Sequence, residues 1–168
     1  QGAGGLPGPD RLLDMIASAK QAMMFPGHDL SAVAKELEPG VFSALYRDYQ
    51  EMLAQNSGCD YEDLVCRAVT LLEEQAAVRQ VARKRFIHVF VDEYQDVNHG
   101  QYRLIRALVP AGGNICVIGD PDQAIYGFRG ASASYFNAFE KDYPNAARFV
   151  LEKNYRSTHA ILSAACHV

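Results

Sequence analysis

The feature that most constrains the fold is the run Phe86-Ile87-His88-Val89-Phe90-Val91, which leads straight into Asp92-Glu93. Six residues rich in β-branched and aromatic side chains are too short for an ordinary helix. They fit a strand buried on both faces, as in a parallel sheet. A second such run, Asn114-Ile115-Cys116-Val117-Ile118, follows a helical stretch over about 99–109. Another helix is expected over roughly 133–143, a third short strand at Arg148-Phe149-Val150-Leu151, and a last helix from Thr158 to Cys166. Strand alternating with helix is the pattern of βαβ units, so this half reads as α/β with a parallel sheet.

The first half is helical. Asp10 is placed to cap a helix running to about Met24, with Leu12, Leu13, Ile16 and Ala19 on one face. Ser31 starts a short helix that Pro39-Gly40 ends. A third helix spans Val41 to about Asn56 and stops at Ser57-Gly58. Asp60 and Asp63 have capping-box spacing, and the helix they open runs to about Lys84 with a break near Glu74. Residues 1–9, rich in Gly and Pro, read as a disordered leader.

Composition excludes little. A formal net charge of −4 does not advertise nucleic acid, yet it permits a local basic groove. The four cysteines form no C-x-x-C pair and read as reduced thiols of a cytosolic protein. No apolar run reaches the ~18 residues of a membrane span.

Three segments carry chemistry. Asp92 and Glu93 sit where a parallel strand ends, the place where ligands gather in α/β sheets. Two adjacent carboxylates there can divide the work of holding Mg²⁺ and deprotonating a water. A solvated acidic turn would look the same in isolation. The second segment runs from Gly119 through Asp120-Pro121-Asp122-Gln123 to Tyr126, Phe128 and Arg129. Gln123 offers an amide to a phosphate or a water, and two aromatics with a guanidinium suit stacking on unpaired bases. Two core aromatics and a surface Arg are the plainer alternative. The third segment is Asn154-Tyr155-Arg156-Ser157, whose Arg can clamp a transferring phosphoryl group.

In this order the three segments resemble motifs II, III and IV of the UvrD/Rep/PcrA-type superfamily 1 DNA helicases. Upstream, Asp60-Tyr61-Glu62-Asp63-Leu64 is similar to that family's aspartate–aromatic–x–aspartate–leucine segment. The likeness covers about residues 59–163. It implies a partial RecA-like sheet of the P-loop NTPase type, with a preceding all-helical segment. It further implies an ATP-driven motor moving 3′ to 5′ on single-stranded DNA, with ATP and Mg²⁺ as cofactors. Asp92 would then hold Mg²⁺, Glu93 would be the general base, and Gln123 would touch the γ-phosphate. Tyr126, Phe128 and Arg129 would face DNA, although the family often has Trp where Phe128 stands. Tyr155 would stack on adenine, and Arg156 would be an arginine finger. Gln95 and Asp96 would hold the loop after the strand.

No G-x-x-x-x-G-K-[ST] occurs anywhere in the chain. Such a loop supplies the backbone donors and the lysine that cradle phosphates. The expectation is therefore an internal piece of a longer helicase, inactive by itself. Residues 10–58 would be a helical accessory subdomain, 59–152 part of the first motor domain, and 153–168 the start of the second. The strand bearing the missing loop would neighbour 114–118, and its absence would leave an open edge inviting non-native oligomers. The alternative is a module that binds single-stranded DNA or a partner without hydrolysis.

Overall fold

The computed structural model describes residues 6–124, 133–165 and 167. Seven helices and two strands follow one another through these residues.

Helix α1 spans Pro9–Gln21, and its first residue is the proline. Asp10 was expected to cap it, but Gly8 holds that position and no side chain caps the end. Proline presets the helical φ and needs no N–H partner, so it starts the helix one residue early. Asp10 falls in the first turn, where its charge suits the helix dipole. The same rule corrects a second expectation. Pro39 ends no helix: residues 31–37 form turns, and Pro39 opens α2, Pro39–Gln55. Helix α3, Tyr61–Glu74, begins with the expected box, in which Asp63 N–H donates to Asp60 Oδ1 at 2.8 Å and Asp60 N–H to Asp63 Oδ2 at 3.3 Å. The break near Glu74 falls at Gln75, and α4 continues over Ala76–Arg85.

Strand β1 is Val89–Val91 and strand β2 is Ile115–Val117, both shorter than the runs that announce them. They pair in parallel, Val89 with Ile115, Phe90 with Cys116, and Val91 with Val117. Helix α5, His99–Leu108, connects them and opens on an Asn98–Gln101 capping box. Helix α6, Ala133–Asp142, lies on the same side and α7 is His159–Ala165. Val91, Ile115 and Val117 pack beneath Tyr102 and Ile105 of α5 and Tyr135, Phe136 and Phe139 of α6. Stacking of Tyr102 on Tyr135, with ring centroids 4.3 Å apart, holds the two helices together.

Two expectations about this sheet are corrected. Among the described residues the first strand is covered on one face only: Phe90, alternating with Val89 and Val91, is 73% exposed. Both covering helices lie on one side. Residues 148–151 form no strand, and Leu151 is 92% exposed. A strand exists by pairing, and the described residues form one ladder alone, between β1 and β2.

The helical half is tied together by a buried charge that the sequence reading did not single out. Lys20, on α1, is fully buried. Its Nζ lies 2.5 Å from Asp60 Oδ2 and 2.9 Å from Asp63 Oδ1. From α2, the Tyr49 hydroxyl donates to Asp60 Oδ2 at 3.1 Å and Gln50 Nε2 to Asp63 Oδ1 at 3.2 Å. The ammonium also lies 5.2 Å from the centre of the Tyr49 ring. Around this point Met15, Ile16, Ala19, Phe42 and Tyr46 pack as one apolar cluster. Burial pushes the nearby Cys66 thiol up to about 11, with the Asp63 charge adding to the effect. For Asp63, burial acts to raise the carboxyl pKa. Hydrogen bonds from Lys20 and Gln50 outweigh it, so the net shift is below 3.8.

Because that pKa is depressed on folding, Asp63 contributes stability above pH 3.8 that is lost as pH falls through its folded value. Lys20→Met should therefore cost about 3–5 kcal/mol at neutral pH, because it strands buried carboxylates. Urea unfolding at several pH values checks this. The gap between wild type and variant should narrow on acidification, as protonation relieves the stranded groups. A gap of under 1 kcal/mol at neutral pH, or one that does not change with pH, would sink this account.

Candidate active site

The chain leaves β1 at Val91 and turns sharply. Asp92 is exposed, and its Oδ1 accepts the Glu93 N–H at 2.9 Å. Glu93 is exposed too, with φ 49° and ψ 45°. That left-handed backbone is uncommon for a residue with a Cβ, and such strain is found where a surrounding structure over-determines it. A single 3-10 turn, Tyr94–Asp96, follows.

The restraint is visible in the next residues. Tyr94 N–H donates to the Ile118 carbonyl at 2.9 Å, and Ile118 N–H to Val91 at 2.9 Å, so the ladder continues past both strand ends. The Tyr94 ring is fully buried against Phe136 and Phe139 of α6, with centroids 6.1 and 5.6 Å away. Burial raises the pKa of its phenol, keeping it neutral. Gln95 is 2% exposed and uses both ends of its amide. Its Nε2 donates to Glu93 Oε2 at 2.7 Å, and its Oε1 accepts the Asp120 N–H at 3.0 Å.

Gly119, between β2 and Asp120, makes this seat available. A Cβ there would lie 2.5 Å from Gln95 Oε1, 3.0 Å from Tyr94 N and 3.1 Å from the Phe136 ring. Asp120 then caps the 3-10 turn Pro121–Gln123. Its Oδ1 accepts the Asp122 N–H at 3.0 Å and its Oδ2 the Gln123 Nε2 at 2.8 Å. Asp92, Glu93 and Gln123 thus lie on two loops at the carboxyl ends of paired strands. A continuous hydrogen-bonded path, Glu93–Gln95–Asp120–Gln123, joins two of them.

The other candidates stand apart. Asn154 Oδ1 accepts from Arg156 N at 2.9 Å and Ser157 N at 2.8 Å, which shapes a tight turn. The Tyr155 and Arg156 side chains are exposed, and Lys153 Nζ lies 5.0 Å from the Tyr155 ring centre. No hydrogen bond or ion pair among the described residues joins them to the Glu93–Gln123 path. Tyr126, Phe128 and Arg129 lie outside the described residues.

Among the described residues, no group of three or more His, Cys, Asp or Glu side chains is placed to hold a metal ion. Asp92 presents one carboxylate, which suits a cation that takes its remaining ligands from phosphate and water, as Mg²⁺ does. The linking role of Gln95 was not legible beforehand beyond its expected part in holding the loop. The one available signal was a glycine, Gly119, immediately after an apolar run, which marks a close approach of backbone. The one signal for Lys20 was its spacing four residues after Ile16, on the apolar face of α1.

Comparison with known proteins identifies the family. The model of the UvrD/REP helicase N-terminal domain matches residues 8–144. The ATP-dependent DNA helicase PcrA of Bacillus subtilis is 42% identical over 160 residues, covering 95% of this chain and 22% of that protein. The ATP-dependent DNA helicase UvrD1 of Mycobacterium bovis is 39% identical over 166 residues, covering 94% and 22% respectively. PcrA of Staphylococcus aureus is 38% identical over 160 residues, with 95% and 22% covered. The chain thus spans about a fifth of the length of these relatives. The match of the UvrD/REP helicase N-terminal domain over residues 8–144, most of the chain, places this chain in the UvrD/REP helicase family.

Proposed function

We propose that this chain is part of an ATP-dependent 3′–5′ DNA helicase motor, contributing the water-activating half of a RecA-like nucleotide site. The observation that carries the reading is the hydrogen-bonded path from Glu93 to Gln123 at the carboxyl ends of β1 and β2. In α/β sheets that is where a nucleotide binds.

In this reading Asp92 would hold the Mg²⁺ that accompanies ATP, which supplies charge neutralisation on the phosphates when bound. Glu93, anchored through Oε2, keeps Oε1 to accept a proton from the attacking water. Gln123 contacts the terminal phosphate, Tyr155 stacks on adenine and Arg156 stabilises the developing charge. Tyr126, Phe128 and Arg129 contact single-stranded DNA. Residues 10–58 form a helical accessory subdomain, 59–152 part of the first motor domain and 153–168 the start of the second, in a cytoplasmic enzyme. No helix among the described residues is long and apolar enough to cross a membrane. The chain by itself carries no phosphate-binding loop and does not hydrolyse ATP in this reading. The sheet face around Phe90 and the outer edges of β1 and β2, which no described residue covers or pairs with, favour self-association of the isolated 168 residues.

Each part has a direct test. In the full-length polypeptide, Glu93→Gln should lower single-stranded-DNA-stimulated turnover by about 10²–10⁴-fold while ATP still binds. Turnover within a few-fold of wild type would remove Glu93 as the base. Phe128→Ala should weaken oligo-dT binding by the worth of one stacked base, about 1–3 kcal/mol, in fluorescence anisotropy. Unchanged affinity would take Phe128 off the DNA path. Light scattering on the isolated chain should show oligomers; a monomer that melts sharply would contradict the open-sheet reading.

A further inference from the structure

We propose that Gln95 is a positioning residue: it fixes the Glu93 carboxylate and couples it to the segment that carries Gln123. This rests on the reading of Glu93 as base and Gln123 as phosphate contact.

The geometry leaves Gln95 little other role. Its side chain is almost wholly buried, and both ends of the amide are engaged, one on a carboxylate and one on a backbone N–H. A side chain with a donor at one end and an acceptor at the other is needed here. A carboxylate at position 95 would set two negative charges 2.7 Å apart, and an apolar isostere would leave the Asp120 N–H without its acceptor. Glu93 is the residue that most needs such an anchor, because its backbone is left-handed and its side chain otherwise faces solvent.

The far end of the path is equally committed. Asp120 donates its backbone N–H to Gln95 Oε1 and accepts with both carboxylate oxygens, from Asp122 N and Gln123 Nε2. Displacing the 119–123 loop therefore displaces the donor that holds Gln95, and with it the anchor of Glu93. Gly119 admits no Cβ between them, so the backbone of the 119–123 loop packs directly against the Gln95 amide. Tyr94 adds a second tie: its N–H is held by Ile118, and its ring by the α6 residues that follow the 125–132 segment. Gln95 is thus placed to make the readiness of the base depend on the loop leading to the DNA-facing residues.

The test is steady-state ATP hydrolysis by the full-length polypeptide with saturating oligo-dT across pH, comparing Gln95→Met and Gln95→Glu with wild type. Both should lower kcat by about tenfold to a hundredfold at neutral pH, with KM for ATP changed by no more than about twofold, because position rather than binding is lost. Relative to wild type, Gln95→Glu should recover as pH falls, since its protonated carboxyl donates to Glu93 in place of the amide. Gln95→Met should not recover. The isosteric acid at low pH also serves where the Met variant folds poorly. Retained kcat in both variants, or equal losses at every pH, would overturn the proposal. Glu93→Gln in the same assay separates the levels. If turnover survives in Glu93→Gln, the base assignment fails and this inference with it. If turnover is lost there but intact in Gln95→Met, this inference alone fails.

Discussion

The parallel pairing of β1 with β2 is the constraint on which the candidate site depends. Three register pairs, from Val89 with Ile115 to Val91 with Val117, bring two chain segments to a common end. Beyond that end the hydrogen bonds of Tyr94, Ile118 and Gln95 keep the two loops in step. Without the pairing, Asp92, Glu93 and Gln123 would be unrelated polar residues on separate turns. The pairing in turn depends on one covered face, where α5 and α6 lay Tyr102, Ile105, Tyr135, Phe136 and Phe139 over the strands.

The helical half is organised by a different force. Its helices meet around Lys20, a charge whose burial is tolerable only because two carboxylates, a phenol and an aromatic face surround it. A buried ion pair adds little stability over a packed apolar core, but it is selective. This arrangement of α1, α2 and α3 brings Lys20, Tyr49, Gln50, Asp60 and Asp63 together. The same two aspartates also cap α3, so the helix start and the interhelical lock are a single piece of chemistry.

Much of this was legible in the residues themselves. The apolar runs before Asp92 and Gly119 announced β1 and β2, and the Asp60–Asp63 spacing announced the start of α3. The misses have physical causes. Pro9 and Pro39 were weighed as helix breakers or leader residues, whereas each opens a helix. The run at 148–151 has strand composition, but composition cannot supply a pairing partner. Phe90 has the hydrophobicity of a doubly buried residue, yet nothing local says which faces of a sheet will be covered. Lys20 and Gln95 escaped for a related reason: a buried polar side chain is defined by what surrounds it in space. Of the candidate site, Asp92 and Glu93 could be named as candidates from the residues alone, and the hydrogen-bonded path joining Glu93 to Gln123 could not.

The left-handed backbone at Glu93 has a consequence for engineering. Glycine or asparagine would sit there with less strain, and either exchange would relax the turn after β1. Neither carries a carboxylate. Selection for thermal robustness alone would drift toward those residues and, on the proposed function, discard the chemistry. If Glu93 is the base, stability and turnover pull in opposite directions at this position, and a design that scored folding alone would choose a side chain without the carboxylate.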